Sequence, residues 1–185
     1  MKNTMKRILS LVAALVLCAA VAPLAQAGDG HFQGMVKGSG PSIGWGSHYT
    51  SDISLGWRID RGNYVGLATG MHYVWHPAKT TSGAIVENGP MNMVPLYADY
   101  IHYFRLGRSL SSFFLGMEAG GTYEVGTPKC EKLWHHTLRP YLSPKLGFDV
   151  GFSRDFGLAL GVNFIAVPQA SDSEYMLNPS LAIRF

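Results

Sequence analysis

The chain has few cysteines, and it has no long apolar run outside its first 27 residues. Only Cys18 and Cys130 are present among 185 residues. Without residues 1–27, Cys130 stands alone and forms no internal disulfide, so the fold must be stable without one. No later apolar run approaches the ~20 residues that a transmembrane helix needs. Ser/Pro-rich linkers and nucleic-acid-binding motifs are absent as well. These absences indicate one domain with no nucleic-acid partner.

The first 27 residues have the layout of a secretory signal peptide. Three basic residues precede a mostly apolar segment, 8–24, and Ala25-Gln26-Ala27 provides a small-x-small cleavage site. We therefore predict a signal peptide over 1–27 and a mature domain over 28–185. A membrane-anchoring helix is less favoured because the apolar segment is short. Lipid attachment at Cys18 is rejected because the preceding residue is Leu17, where a small residue is required.

The charge balance changes once this segment is set aside. It holds three of the 15 lysines and arginines and none of the 12 acidic residues, so the remainder carries 12 of each sign. The sequence pI of about 8.9 therefore comes from the signal peptide. It gives no support to a role in binding nucleic acid.

Apolar and polar residues alternate with a period of two in most of the remaining chain, which is typical of half-exposed β-strands. Eight segments show this pattern: 31–38, 51–60, 64–75, 93–105, 112–125, 138–152, 156–167 and 177–185. Most reach the ~9–11 residues of a tilted membrane-crossing strand, and the connections between them alternate between short and long. The sequence predicts an all-β fold, an eight-stranded antiparallel up-and-down transmembrane barrel with short periplasmic turns and long external loops.

A soluble barrel of the lipocalin type has the same alternation, with the apolar face turned inward and the polar face outward. Alternation alone therefore does not distinguish a soluble barrel from a membrane barrel. The signal peptide and the terminal aromatic Phe185 favour the membrane barrel. We interpret Asn178, Ile183 and Phe185 as the signal read by the barrel-insertion machinery. An interfacial aromatic girdle is expected at the periplasmic rim, formed by Trp57, Tyr64, Phe104, Phe113, Phe152, Phe156 and Phe185.

Several segments resemble those of a known group of proteins. They are Val94-Pro95-Leu96-Tyr97-Ala98-Asp99, Phe113-Phe114-Leu115-Gly116, Glu118-Ala119-Gly120, and Leu177-Asn178-Pro179-Ser180 running to Phe185. With them the chain is similar to the small outer-membrane β-barrel domain proteins of Bacteroides-type bacteria, which share an architecture with OmpX-like and OmpA-like barrels. The resemblance implies a location in the outer membrane of a Gram-negative bacterium, and it implies no reaction.

The strand faces predicted to point inward carry five residues of each sign. They are Lys37, Arg58, Arg139, Lys145 and Arg184, with Asp52, Asp99, Glu118, Glu124 and Asp149. An eight-stranded barrel is barely wide enough for its own side chains, so charges inside it must pair or bear a large desolvation cost. We predict an ion-pair network that fills the lumen. A narrow ion path is the alternative, and equal numbers of both signs argue against a selective one.

The predicted loops hold other reactive side chains. Cys130, Glu131, His135 and His136 include metal-ligand types, yet their spacing matches no standard site, so we predict no metal and no cofactor. Ser47, His48, Asp52 and His72 are the residue types of a lipid A acyltransferase or deacylase, but no motif fixes their geometry. We therefore predict no catalytic residues, with this enzyme class as the alternative.

The expected function follows from the architecture. We expect a monomer in contact with outer-membrane lipid, with a structural or surface-interaction role. Any surface ligand, as yet unidentified, would be bound by the external loops, which are the exposed and variable parts of such a scaffold.

Overall fold

The computed structural model describes residues 30–43, 47–60, 62–75, 77–79, 85–87, 91–125, 138–168 and 173–185. The predicted signal peptide and the segment around Cys130 lie outside these residues. Within them, no helix is long and apolar enough to cross a membrane. The described residues form ten strands: β1 His31–Ser39, β2 Ser47–Arg58, β3 Asn63–Trp75, β4 Pro77–Lys79, β5 Ile85–Glu87, β6 Met91–Arg105, β7 Ser112–Val125, β8 Leu138–Gly151, β9 Gly157–Pro168 and β10 Ser173–Arg184.

Eight of these strands form a closed antiparallel barrel in the order β1-β10-β9-β8-β7-β6-β3-β2. β4 and β5 form a separate two-stranded hairpin between β3 and β6. The barrel closes between the first and last strands, where Gly34 N donates to Phe185 O at 2.7 Å and Phe185 N donates to Gly34 O at 2.9 Å. The prediction of an eight-stranded up-and-down barrel is confirmed.

The wall of the barrel is apolar outside and polar inside. β8 shows this over its whole length, because buried and exposed residues alternate along it. On β6, Leu96 is 60 % exposed on the outer face, whereas Tyr97 and Asp99, one and three residues further along the strand, are buried on the lumen face. Tyr64 is an exception to our prediction. It is fully buried and shares a 2.8 Å hydrogen bond with Ser54, so its placement in the aromatic girdle is wrong.

Two barrel strands begin four residues earlier than the sequence pattern predicts. β2 starts at Ser47 rather than Ser51, and β10 starts at Ser173 rather than Leu177. In both cases the neighbouring strand continues and supplies partners, as in the pairing of His48 with Val74. Alternation is weak in these extensions, so only the hydrogen-bonded partner reveals them.

Prolines coincide with interruptions in the ladder. The register of β3 and β6 omits the position of Pro95, and that of β8 and β9 omits the position of Pro144. Pro179 lies next to the end of the β1–β10 pairing, where its carbonyl still accepts from Gly40 N at 2.9 Å. A proline lacks the N–H that a ladder needs, which explains why pairing stops or skips there.

We call the end with the turns 59–62, 106–111 and 152–156 the short-turn end, and the opposite end the long-loop end. β1 begins and β10 finishes at the short-turn end. Aromatic side chains lie on the outer face near this end. The ring centroids of Phe104 and Phe148 lie 6.0 Å and 5.6 Å from that of Phe113. Those of Phe152 and Phe156 lie 5.7 Å apart.

Candidate functional site

Four charged side chains meet in the middle of the lumen, and we call them the central tetrad: Lys37 of β1, Asp99 of β6, Glu118 of β7 and Lys145 of β8. Lys37 Nζ lies 2.8 Å from Asp99 Oδ2 and 2.8 Å from Glu118 Oε1. Lys145 Nζ donates to Asp99 Oδ1, and it lies 3.0 Å from Glu118 Oε1. All four side chains are buried, so the tetrad is a compact group. It has no net charge, because two lysines balance two carboxylates.

Strand register explains why the tetrad needs both lysines. Asp99 stands directly opposite Glu118 in the β6–β7 ladder, and two like charges there repel each other. Lys145 reaches them from β8, across Gly116, where a Cβ atom would lie 2.8 Å from the Lys145 Cε atom. Lys37 comes from β1, which is no neighbour of these strands in the sheet and meets them only across the lumen.

A second polar group, which we call the outer cluster, lies between the central tetrad and the long-loop end. Asp52 accepts a 2.9 Å hydrogen bond from the Tyr97 hydroxyl and lies 3.2 Å from His72 Nε2. Rings of His48 and Tyr141 lie 5.2 Å and 5.4 Å from the His72 ring. Tyr141 also donates to Glu118 Oε2 at 2.9 Å, which joins this cluster to the tetrad.

Asn178 is the last member of the outer cluster. It lies beyond the end of the pairing between β10 and β1, and it joins β10 to β2. Its Nδ2 donates to His48 O at 3.2 Å and to Ser39 Oγ at 3.3 Å. Of the three residues interpreted as an insertion signal, Asn178 is therefore buried in the lumen. Ile183 and Phe185 are exposed on the outer face.

The remaining residues of the predicted ion-pair network are divided between the two ends of the lumen. At the short-turn end, Arg184 Nη2 lies 3.0 Å from Asp149 Oδ2, and the Arg58 guanidinium lies 4.4 Å from the centroid of the Tyr103 ring. Arg139 is buried near the long-loop end, opposite Thr122. The backbone of Glu124 pairs with Met93, and its side chain lies outside the described part of the structure.

No protein-family model and no curated protein matches this sequence. Solved structures do resemble it. Neisserial surface protein A, NspA, is 13 % identical over 84 % of this chain and 94 % of its own, with a TM-score of 0.51. OprG, an outer-membrane protein from Pseudomonas aeruginosa, is 13 % identical over 83 % of this chain and 95 % of its own, also with a TM-score of 0.51. The chain has the fold of a small outer-membrane barrel. At this identity the likeness concerns the fold alone.

In this barrel, the residues that suggested other chemistry are only partly brought together. Cys130, Glu131, His135 and His136 lie outside the described residues, and so does the side chain of Ser47. Asp52, His48 and His72 do meet, but the lumen encloses all three. Among the described residues, no group of three His, Cys, Asp or Glu side chains is placed to hold a metal ion.

The lumen is nearly filled. A cavity of about 30 Å³ lies beside the central tetrad and extends towards the short-turn end, with Lys37, Glu118, Lys145, Asp149 and Arg184 among its lining residues. That volume holds only one or two water molecules.

The partners of Asp52 in the structure were not predicted from the sequence, because the predicted ion-pair network gave Asp52 a lysine or an arginine as its partner. The inward positions of His72 and Tyr97 in the strand alternation were the available signal.

Proposed function

We propose that this protein is an outer-membrane β-barrel of a Gram-negative bacterium, with a structural or surface-interaction role and no enzymatic activity. The observation that carries the proposal is the arrangement of the wall, with apolar side chains exposed around the outside and paired charges packed inside. A soluble barrel has the opposite arrangement, whereas a barrel in lipid requires this one.

The proposed partners follow from this location. Outer-membrane lipid surrounds the apolar wall, and the barrel-insertion machinery reads Asn178, Ile183 and Phe185. An unidentified surface ligand binds the external loops, of which the β4–β5 hairpin is the part with regular structure among the described residues. The barrel is proposed to act as a monomer, since closure leaves no open sheet edge for a second copy.

Paired substitutions of exposed leucines test the location. Leu96 lies in the middle of β6 and Leu110 lies in a short turn, with exposed fractions of 60 % and 51 %. Leu96→Arg is expected to destabilise the folded protein in bilayers by about 2–4 kcal/mol, and Leu110→Arg by less than about 1 kcal/mol, because arginine is costly only at the depth of the hydrocarbon. Denaturant unfolding in vesicles, followed by heat-modifiable gel migration, measures both. Equal, small effects, or a protein recovered soluble from the periplasm, would contradict the proposal.

A pore is disfavoured by the central tetrad and the small cavity. Planar-bilayer recordings are expected to show no steady conductance steps above background. Regular steps would overturn the proposal of a plugged lumen.

Lipid A modification is the second candidate, and it rests on the 3.2 Å contact between His72 and Asp52, which is the geometry of an oriented base. The enclosure of both residues disfavours it, because a substrate has no visible route to them. We expect the acyl pattern of lipid A to be the same in cells with and without the protein. An altered pattern would establish this candidate in place of the non-enzymatic role.

A further inference from the structure

Arginines outnumber acidic residues at the short-turn end of the lumen. Among the described residues, the mouth of the lumen there holds Arg58, Arg105, Arg154 and Arg184 against Asp149 and Asp155. Arg108 and Asp60, on the exposed turns, add one charge of each sign. The described side chains of the mouth therefore have an excess of two positive charges, unlike the neutral central tetrad.

Two of these arginines are buried and held in place. Arg184 donates to Asp149 Oδ2 at 3.0 Å and, through Nη1, to Arg154 O at 2.7 Å. Arg58 lies over the ring of Tyr103. A guanidinium group removed from water attracts an anion more strongly than an exposed one, because neither solvent nor salt screens it as well.

Gln33 supplies the second, independent observation. Its side chain is 1 % exposed and faces the lumen, and within the described residues neither its Nε2 nor its Oε1 atom has a hydrogen-bond partner. Leaving a buried amide unsatisfied is costly, so such a group indicates a missing partner.

The register places Gln33 between the two buried arginines. On β1, His31 pairs with Arg58 of β2, and Met35 pairs with Arg184 of β10, so Gln33 is the diagonal neighbour of both arginines on the lumen face. Diagonal neighbours have side chains within ~7–8 Å, so the three side chains are close enough to contact one small oxyanion. Such an oxyanion would accept from the Gln33 amide and from both guanidinium groups.

We infer that Gln33, Arg58 and Arg184 form a binding site for a phosphate group at the short-turn mouth of the lumen. Phosphate offers several acceptor oxygens to fixed N–H donors and carries the charge that offsets the excess at the mouth. The group comes either from free phosphate or from the headgroup of an anionic phospholipid. The site does not depend on the proposed surface role, since it is built from the barrel itself.

The test uses the full-length chain refolded in a non-ionic maltoside detergent, with folding verified by heat-modifiable gel migration. Titration calorimetry with inorganic phosphate at constant ionic strength is expected to show saturable binding. Arg58→Gln is expected to weaken it at least about tenfold, the effect of losing one charge-assisted hydrogen bond. Arg139→Gln, which removes the same charge from a buried arginine near the other end of the lumen, is the matched control and is expected to change it less than about twofold.

Gln33→Glu is the sharpest variant, because it places a carboxylate of the same shape between the two arginines. We expect it to abolish phosphate binding and to raise the unfolding temperature in phosphate-free buffer by about 2–4 °C. It also keeps the test decisive if Arg58→Gln fails to fold. Absence of saturable binding of both inorganic phosphate and phosphatidylglycerol by folded wild-type protein, or equal loss in Arg139→Gln, would overturn the inference.

A second arm identifies the source of the phosphate. Binding to phosphatidylglycerol in mixed micelles, with none to inorganic phosphate, supports the site with a lipid as its occupant, and the reverse supports it with the free ion. A chain that fails to enter any bilayer while still binding phosphate would count against the outer-membrane proposal and leave this site standing.

Discussion

Two groups of polar side chains fill the same lumen, and they differ in how completely they are hydrogen bonded. In the central tetrad, each oxygen of Asp99 and Glu118 meets a lysine or the Tyr141 hydroxyl. In the outer cluster and beside it, His72 Nδ1, Asn178 Oδ1 and Ser143 Oγ have no partner among the described residues. An unpaired buried charge costs far more than an unpaired neutral group, so the tetrad requires complete pairing. The outer cluster has a single carboxylate, that of Asp52, which is contacted by Tyr97 and His72, and the other gaps fall on imidazole, amide and hydroxyl groups.

The largest effect is expected from removing one charge of the tetrad. Glu118→Gln keeps the shape of the side chain but leaves two buried lysines with one carboxylate, and we expect a loss of about 3–5 kcal/mol in the free energy of unfolding. Denaturant titration of the refolded barrel measures it. Adding Lys37→Met to this variant restores neutrality and is expected to recover most of the loss. A cost below about 1 kcal/mol for Glu118→Gln would remove the distinction between the two groups.

A smaller effect is expected in the outer cluster. Asn178→Leu removes neutral hydrogen bonds to Ser39 and His48, so we expect the free energy of unfolding to fall by about 1–2 kcal/mol. The same titration, run beside Glu118→Gln, compares the clusters directly. If Asn178→Leu proves as costly as the loss of a tetrad charge, complete pairing is not what separates them.

Removing a polar atom that has no partner should cost nothing. Ser143→Ala deletes the buried Oγ, and we expect stability to stay the same or rise by up to about 1 kcal/mol. Thr69→Val serves as a control, because its hydroxyl donates to Pro95 O at 2.7 Å and its loss is expected to destabilise. A clear loss of stability in Ser143→Ala would show that its hydroxyl has a partner after all.

The smallest effect concerns a carboxylate in water. Asp60 in the β2–β3 turn accepts from Gly62 N at 2.6 Å and from Asn63 N at 2.7 Å. Although partial desolvation acts in the opposite direction, these bonds and the one from the Asn63 side chain hold the pKa of the Asp60 carboxyl below its usual value of 3.8. Its stabilising effect is therefore present at neutral pH and is lost as the pH falls through the lowered pKa.

Asp60→Asn keeps the acceptor oxygen and removes the charge, so we expect it to cost less than about 1 kcal/mol at pH 7. The difference from wild type should shrink below about pH 4, where the carboxyl of the unfolded wild-type chain begins to be protonated. Unfolding measured at a series of pH values gives the result. A difference that grows on acidification would contradict the sign.

The faces of the strands could be predicted from the sequence, but the contacts across the lumen could not. Period-two alternation placed Lys37, Asp99, Glu118 and Lys145 on the inner face of their strands. Which of them meet depends on strand tilt and stagger, which alternation does not contain. Tyr64 was misassigned for a related reason. At a strand end an aromatic residue suits either the interface or the lumen, and only the hydrogen bond to Ser54 separates the two.

The cross-lumen position of Lys37 has a consequence for how the barrel assembles. Strands β6, β7 and β8 lie side by side and together bring Asp99, Glu118 and Lys145, a group with one uncompensated negative charge. The missing positive charge is on β1, at the seam that closes last if strands are added in chain order. Before closure, the open sheet carries this negative charge with Asp99, Glu118 and Lys145 still exposed to water. Closure removes these side chains from water and brings the positive charge that neutralises them. Arrival of the first strand at the last one completes the hydrogen-bond ladder and the charge balance in the same step, which couples closure of the barrel to neutralisation of the tetrad.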